Sequence, residues 1–386
     1  MTRDPQTPSS AAVPGGPLRG IKVVEFASLG PAPFAGMLLS DMGADVVTID
    51  RPPGLKLGDT TNIVGRGRSV VLADLKDSGD RERILALLDH ADILIEGYRP
   101  GVMERLGLGP EPIAARNPRL IYGRMTGWGQ SGPNASLAGH DINYLALTGP
   151  LHAMGHADGP PVPPLNLVGD YGGGSLYLVM GLLAALLESR QSGRGQVVDA
   201  AITDGALSLM SHFVASRLRG TFEPRRGSNL LDGGAPYYSV YETADGEYVA
   251  VGAIEPKFFA LLCERLELDP ALRDAQHDRA RWPCLRSELA RIFHHHTRDH
   301  WAAVFQGSDA CVTPVLALDE ALDHPQQTNR QAVVDVDGVR HPAPAPRFSR
   351  TISAIRGPAP ATATDSTEIL ARWSRITHLK TARTPE

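Results

Sequence analysis

The chain has 386 residues, 42% of them hydrophobic and 21% charged, which is typical of a soluble globular enzyme with more than one core. Its net charge of -5 does not favour binding to nucleic acid or to an anionic membrane surface. The cysteines show no metal-ligand or disulfide spacing, no apolar run predicts a transmembrane helix, and no secretory or peroxisomal signal is found. We therefore expect a cytoplasmic protein of two domains that begins with a disordered tail over residues 1–18.

Short apolar strands alternate with helices in the first half of the chain. The predicted strands cover residues 21–26, 45–50, 69–75, 92–96, 119–125 and 196–199, and the predicted helices 34–42 and 77–88. Such βαβ units predict a parallel sheet, and ligands bind at the carboxyl edge of sheets of this kind. Asp50 at the end of the second strand also suits a nicotinamide-dependent oxidoreductase, but residues 27–33 lack the G-x-G-x-x-G phosphate fingerprint.

Cations follow several of these strands. Predicted loops at strand ends hold Arg51, Arg66, Arg68, Lys76 and Arg99. Guanidinium and ammonium groups collected at one edge of a sheet can bind phosphates. For any single one of them, ordinary solvated charge is the simpler interpretation.

The most informative stretch runs from Thr126 to Gly174. Two proton carriers, His140 and Asp170, each follow a glycine, and an apolar helix is predicted over residues 171–189. A carboxylate at such a loop-to-helix junction can be fixed by free N–H groups of the helix. On these residues alone two interpretations stay open, a catalytic pair or two helix-capping residues.

The second half of the chain has a different pattern. A loop over residues 219–235, rich in Arg, Gly, Asn and Asp, predicts a domain boundary, and a β-hairpin with an Asp245–Gly246 turn follows it. Glu255 precedes Pro256 at a predicted helix start, where it is either a capping residue or a site carboxylate. Further helices are predicted over residues 200–214, 286–296, 298–306 and 368–374.

Several long segments, in this order and spacing, resemble the family III CoA-transferases (the CaiB-BaiF superfamily) and, among them, the alpha-methylacyl-CoA racemases. They are Gly43–Val47, Ala73–Lys76, Glu96–Val102, Arg124–Gln130, Gly139–Tyr144, Gly169–Gly174, Asp232–Tyr238 and Val251–Pro256. The resemblance implies an α/β fold with a Rossmann-like large domain that contains a parallel sheet, a smaller α+β domain and an interlocked homodimer. The implied large domain spans residues 19–219 and the small domain 220–325, and residues 326–386 return to the large domain.

The resemblance also implies a set of functional residues. It carries over His140, Asp170 and Glu255 as catalytic residues. The implied CoA contacts are Arg51, Ala73, Lys76, Gly97, Arg99, Asp141 and Tyr144. The implied partner is an acyl-CoA thioester, in which CoA is part of the substrate, so that no separate cofactor and no metal are expected.

The implied activity is that of an isomerase in fatty acid or related lipid metabolism, which interconverts the epimers of a 2-methylacyl-CoA thioester through an enolate. This reaction needs two groups on opposite faces of the carbon, each able to act as acid or base. Histidine suits one face because its unperturbed pKa is about 6.5, and a carboxylate suits the other if its pKa is raised. We expect Glu255 to orient or polarise His140. We expect the N–H groups of Asp170 and of the start of the helix at Tyr171 to bind the enolate oxygen.

The nearest rival is a CoA-transferase of the same fold, in which Asp170 is a nucleophile that forms a mixed anhydride and then a thioester. Asp170 serves either reaction, whereas His140 and Glu255 favour the racemase. The glycine-rich loop typical of the transferases is matched neither by Gly233–Gly234 nor by residues 252–256. A non-catalytic CoA-binding protein is a third interpretation. The acyl group stays open among branched fatty, sterol-derived and aryl chains.

Overall fold

The computed structural model of the protein describes residues 13–54 and 57–381. This part of the chain forms two compact units. The first contains the residues up to Thr148, Leu165–Leu209 and those from Pro325 onwards, and the second contains Gly149–Pro164 and Met210–His324. The sequence did not predict that residues 149–164 group with the second unit.

The strands and helices follow one another along both units. The strands are β1 Val13–Pro14, β2 Lys22–Phe26, β3 Asp45–Asp50, β4 Ser69–Leu72, β5 Ile93–Glu96, β6 Ile121–Thr126, β7 Val197–Ala201, β8 Tyr238–Glu242, β9 Tyr248–Gly252, β10 Val312–Pro314, β11 Val333–Val336, β12 Val339–Pro342 and β13 Thr351–Ile352. The α-helices are α1 Pro31–Asp41, α2 Ser78–Leu88, α3 Val102–Arg105, α4 Pro110–Arg116, α5 Asp141–Thr148, α6 Pro150–Ala153, α7 Leu176–Ser192, α8 Ile202–Leu209, α9 Ser211–Leu218, α10 Pro256–Arg265, α11 Pro270–Arg273, α12 Trp282–Phe293, α13 Arg298–Phe305, α14 Leu318–Asp323, α15 Pro325–Asn329 and α16 Ser366–Thr381. A π-helical stretch, Leu167–Ser175, leads directly into α7.

A six-stranded parallel sheet forms the centre of the first unit, in the order β4-β3-β2-β5-β6-β7. The parallel α/β architecture predicted from the alternating strands and helices is therefore confirmed. The strand order reverses between β2 and β5, and ligands bind outside the carboxyl ends of the strands at such a reversal. The loops that follow β2 and β5 are thus the first place to look for a site.

Helices cover both faces of this sheet, which is why its strands read as continuous apolar runs. One face packs against α1 and α7, and the other packs against α2, α3 and the C-terminal helix α16. Ile369 and Trp373 of α16 are fully buried. The Trp373 indole N–H also donates to Oδ2 of Asp45 at 3.0 Å, so that α16 is an integral part of the core.

The predicted disordered tail extends too far. Strand β1 pairs in parallel with β13, and the N–H of Gly16 donates to the carbonyl of Ile352 at 2.9 Å. Residues 13–16 are therefore held by backbone pairing with the C-terminal segment, and the N–H of Leu18 donates to the Met42 carbonyl at 2.8 Å. Local composition does not reveal either contact. The rest of that predicted tail, residues 1–12, lies outside the described residues.

An antiparallel sheet in the order β10-β9-β8 forms the centre of the second unit. The predicted hairpin is confirmed as β8 and β9. Val249 of β9, Phe259 of α10 and Phe293 of α12 belong to one apolar core beside this sheet. The second unit therefore has a core of its own.

Two predicted helices differ from the structure. The helix predicted over residues 171–189 begins earlier, as the π-helical stretch, and the one predicted over 200–214 is divided into α8 and α9. The stretch Leu167–Ser192 is long and apolar enough to cross a membrane by length and composition, and half of its most apolar window is buried inside the protein. The expectation that no apolar run reaches this length is wrong, because the π-helical start adds a run of helix before α7.

Candidate active site

His140 stands immediately before α5, and its side chain is exposed. Its backbone N–H donates to Oδ1 of Asn143 at 3.0 Å, and its carbonyl accepts from the amides of Asn143 and Tyr144. The helix start is therefore capped through the backbone of His140. The imidazole ring stays available for proton transfer.

Asp170 lies half-buried in the π-helical stretch. Its backbone N–H donates to Oδ1 of Asp141 at 2.6 Å, and the amide nitrogen of Asn166 lies 3.5 Å from its own Oδ2. The Asp141 carboxylate thus joins the segment that contains His140 to the segment that contains Asp170. The two predicted proton carriers of the first unit are held on one small framework.

The environment of Asp170 favours its protonated form. Burial raises the pKa of Asp170 above its ordinary value, and the negative charge of Asp141 raises it further. The hydrogen bond from Asn166 and the charge of His140 act in the opposite direction, so His140 is close enough for the two charges to interact. A carboxyl group with a raised pKa is better suited to accept and release protons near neutral pH.

Close packing explains the glycines that precede His140 and Asp170. A Cβ atom on Gly169 would lie 2.2 Å from Oδ1 of Asp141, and one on Gly139 would lie 2.7 Å from the ring of Tyr144. The Tyr144 hydroxyl donates to the Gly139 carbonyl at 2.5 Å. A side chain at Gly169 would push α5 away from the segment that contains Asp170, and one at Gly139 would displace the Tyr144 ring.

The predicted donors to an enolate oxygen are wrong. The N–H of Asp170 is bonded to Asp141, and the N–H of Tyr171 donates to the Asn166 carbonyl at 3.2 Å. Among the described residues, the amides of Asp141 and Ile142 in the first turn of α5 have no acceptor. Because these amides follow His140 directly, the N-terminus of α5 is the better place for an oxyanion.

The loop after β2 contacts the segment that contains Asp170. A Cβ atom on Gly30 would lie 3.1 Å from Oδ2 of Asp170, and the buried Ser175 hydroxyl donates to the Pro31 carbonyl at 2.7 Å. The rings of Phe34 and Tyr171 stack with centroids 4.2 Å apart. The start of α1 is therefore packed against the segment that contains Asp170.

A cavity of about 590 Å³ opens at the carboxyl ends of β3 and β4. Its lining includes Ala73 and three exposed cationic side chains, Arg51, Lys76 and Arg105. Cations from three different segments that surround one cavity can bind the phosphates of a nucleotide. Sequence analysis missed Arg105 because it lies in α3, a short helix that was not predicted, rather than directly after a strand.

Gly97 and Arg99 follow β5. A Cβ atom on Gly97 would lie 3.1 Å from Oγ of Ser28, so the loops after β2 and β5 touch at the reversal of strand order. Burial and the charge of Asp170 raise the pKa of Tyr144, whereas the exposed Arg99 lowers it. The Arg99 charge is thus close enough to Tyr144 to act on its hydroxyl.

Two other predicted phosphate-binding cations, Arg66 and Arg68, form ion pairs inside the protein. Arg66 forms a buried ion pair with Asp41 at 2.5 Å, and Arg68 forms one with Glu25 at 2.5 Å. Both arginine side chains are almost completely buried, so the expectation that they bind phosphates is wrong. Charge and position after a strand do not reveal which cations already have a partner in the core.

Glu255 lies in the second unit at the N-cap position of α10. Its carbonyl accepts from the amides of Phe258 and Phe259, whereas its exposed carboxylate makes no capping hydrogen bond. A cavity of about 1330 Å³ in the same unit is lined in part by Cys311. Burial raises the pKa of the Cys311 thiol and the charge of Glu255 raises it further, so the carboxylate lies near this lining.

The model of CoA-transferase family III matches residues 18–366. The chain belongs to CoA-transferase family III. Within the family, it is 46% identical over 336 residues to the alpha-methylacyl-CoA racemase of Mus musculus, which covers 86% of this chain and 87% of the mouse protein. It is 31% identical over 354 residues to the acetyl-CoA:oxalate CoA-transferase of Acetobacter aceti, which covers 87% of this chain and 90% of that enzyme.

Solved structures of the family have the same fold. The crystal structure of a CAIB/BAIF family protein from Brucella suis matches with a TM-score of 0.80 at 24% identity, over 93% of this chain and 100% of that one. The expected family III fold is therefore confirmed. Two of the segments that resemble the family, Gly139–Tyr144 and Gly169–Gly174, contain His140 and Asp170. The hydrogen bond between Asp141 and Asp170 joins these two segments in the structure.

Proposed function

We propose that this protein is an alpha-methylacyl-CoA racemase, an isomerase that interconverts (2R)- and (2S)-2-methylacyl-CoA thioesters. The observation that carries the proposal is the placement of Asp170, with its raised pKa, beside His140 on one framework. The 46% identity to the mouse racemase, against 31% to the oxalate transferase, supports a racemase over a transferase.

In the proposed mechanism, one of these two groups removes the proton from the carbon beside the thioester and the other returns a proton to the opposite face. An ionised Asp170 and a neutral His140 are the bases for the two directions, and their protonated forms are the acids. Glu255 is the third proposed catalytic residue, and its carboxylate is not used as a helix cap. Every step is a proton transfer, so the proposed mechanism requires no redox cofactor.

Removal of the proton leaves negative charge on the thioester oxygen. The amides of Asp141 and Ile142 stabilise this enolate, since they lie in the first turn of α5 directly after His140. The positive end of a helix costs little reorganisation during the reaction, because its amides are already oriented.

The CoA part of the substrate binds at the carboxyl edge of the parallel sheet. Its phosphates bind Arg51, Lys76 and Arg105 around the cavity of about 590 Å³. Gly97 and Arg99, in the loop after β5 at the same edge of the sheet, contact the part of the substrate that carries the thioester. Holding the distant nucleotide in this way positions the reacting carbon between the two bases.

The proposed enzyme is an interlocked homodimer in the cytoplasm, where it acts on a water-soluble CoA ester in fatty acid or related lipid metabolism. Apolar side chains on α7 support the dimer, since Leu176, Met180 and Leu187 are 53%, 59% and 62% exposed. A row of exposed apolar side chains on a long helix favours contact with another protein surface.

The test is incubation of the purified protein with a (2R)-2-methylacyl-CoA in deuterated water. We expect deuterium at the α-carbon by NMR, and a near-equal mixture of epimers by chromatography. His140→Ala should abolish the exchange while binding of the ester persists. Retained exchange in that variant would contradict the role of His140.

A second incubation separates the racemase from the transferase. If Asp170 were an acyl-accepting nucleophile, a labelled free acid mixed with acyl-CoA would enter the CoA ester pool. We expect no such transfer. Transfer of label without α-proton exchange would contradict the proposed racemase and indicate a family III CoA-transferase instead.

A further inference from the structure

One buried arginine side chain links the parallel sheet to the helix α3. Arg124 of β6 is 7% exposed, and its partner across the strands, Glu96 at the end of β5, is 0% exposed. Nε of Arg124 donates to Oε1 of Glu96 at 2.9 Å. Its Nη1 and Nη2 donate to the two carboxylate oxygens of Glu104, in α3, at 2.8 and 3.3 Å. The guanidinium group therefore holds a strand on one side and a helix on the other.

Glu96 extends this link to the loop after β5. Its second oxygen, Oε2, accepts the backbone N–H of Tyr98 at 2.8 Å, and Tyr98 lines the cavity of about 590 Å³. The loop also contains Gly97 and Gly101, and Gly101 has a φ of 82°, a conformation that glycine adopts readily. Because glycines give a loop conformational freedom, a hydrogen bond from the sheet helps to fix its position.

The helix α3 depends on the same arginine. It has only four residues, and a helix of a single turn is not stable without tertiary contacts. Glu104 provides such a contact through its two hydrogen bonds to Arg124. The next residue, Arg105, lines the cavity of about 590 Å³. The ion pair thus acts one residue away from a cation that is proposed to bind phosphate.

Arg124 does not line this cavity itself, whereas Tyr98 and Arg105 do. We propose that Arg124 is a positioning residue for the phosphate site, which holds Tyr98 and Arg105 in the arrangement that a bound nucleotide requires. This inference rests on the proposed function and adds to it a residue that does not touch the substrate. A loop and a helix that are fixed before binding lower the entropy lost when the ligand binds.

Arg124→Lys tests this role, because lysine keeps the charge but cannot form the forked hydrogen bonds of arginine. Calorimetry would give the Kd of adenosine 3′,5′-bisphosphate, and α-proton exchange of a 2-methylacyl-CoA would give kcat and KM. We expect Kd and KM to rise about 10-fold, as when the cost of ordering one residue is added to binding. The kcat should stay close to the wild-type value, because the change weakens the ground state and the transition state alike.

Arg66→Lys is the matched control. Arg66 is also buried and also donates to both oxygens of a carboxylate, that of Asp41 in α1, but it does not line the cavity. Both substitutions should lower the free energy of unfolding, whereas only Arg124→Lys should change the Kd. Equal weakening by the two variants would overturn the proposal, because it would show a general effect of instability. An unchanged Kd in Arg124→Lys would overturn it directly.

Glu104→Ala is a second test, in which folding is less at risk because this side chain is 44% exposed and alanine favours a helix. By charge alone, removal of a carboxylate beside Arg105 should tighten the binding of an anion. We expect the bisphosphate to bind about 3–5-fold more weakly instead, since α3 loses its link to Arg124. Unchanged or tighter binding would overturn the positioning role. A wild-type protein that binds the bisphosphate but exchanges no α-proton would overturn the proposed function and leave the positioning role intact.

Discussion

The carboxylate of Asp141 accepts the backbone N–H of Asp170 at 2.6 Å. This contact joins the start of α5 to the π-helical stretch and places His140 next to Asp170. Burial raises the pKa of Asp170, and the charge of Asp141 adds to that effect. One buried side chain, Asp141, therefore holds a proposed catalytic residue in position and also contributes to its proton affinity.

Asp141→Asn should shift the pH dependence of racemisation. Asparagine keeps an oxygen that can accept the Asp170 N–H, but it removes a negative charge that raises the pKa of Asp170. Asp170 then stays ionised to lower pH, so the acidic limb of the kcat/KM profile moves to lower pH. A limb that stays in place, or moves to higher pH, would show that Asp170 does not cause it.

Asp170→Asn should abolish racemisation and leave substrate binding largely intact. Loss of a general acid–base group typically lowers rates by about 10²–10⁴-fold. The measurement is the rate of epimerisation starting from each pure epimer, with the Kd of CoA as the binding control. A variant that epimerises either epimer at the wild-type rate would contradict the proposed pair.

Gly169→Ala should destabilise the protein and lower its activity. The new Cβ would lie 2.2 Å from Oδ1 of Asp141, and overpacking of this kind costs about 1–3 kcal/mol. Gly159→Ala is the control, since a Cβ there meets nothing within 4 Å. Urea unfolding measures both, and similar free energies of unfolding for the two variants would contradict the close approach at Gly169.

Arg66→Met should be strongly destabilising. The side chains of Arg66 and Asp41 are 2% and 3% exposed, and removal of one partner leaves an uncompensated buried charge that costs about 3–5 kcal/mol. Arg225 forms an ion pair with Asp158, and the two side chains are 70% and 93% exposed. Arg225→Met should therefore lower the free energy of unfolding by less than about 1 kcal/mol. Guanidinium denaturation distinguishes these values, and a small effect at Arg66 would show that the pair is dispensable.

Arg105→Ala should weaken binding of adenosine 3′,5′-bisphosphate, and the loss should be larger at low salt because screening weakens charge–phosphate attraction. We expect a change of about 10-fold in Kd, as for loss of one charge-assisted hydrogen bond. Arg116→Ala is the control, since Arg116 pairs with Asp89 at 2.7 Å and does not line the cavity. Unchanged binding in Arg105→Ala would remove this residue from the proposed phosphate site.

The sequence predicted the parallel sheet well because its strands are buried on both faces and are continuously apolar. The sequence motifs predicted His140 and Asp170 as proton carriers, but they did not predict the hydrogen bond that joins their two segments. The bond between Asp141 and Asp170 links positions 29 residues apart, and no local pattern encodes it. For the same reason the sequence does not show that Arg66 and Arg68 are buried in ion pairs, since their carboxylate partners lie on distant segments.

The first unit is assembled from three segments of the chain, and the last of them, from Pro325 onwards, follows the second unit in sequence. During synthesis, strands β2 and β3 emerge early, yet the face that Ile369 and Trp373 cover stays open until α16 has left the ribosome. The second unit has a core of its own and is complete before that moment. A message cut short before α16 would therefore yield a nascent protein with an uncovered apolar face, a form that chaperones bind and proteases remove.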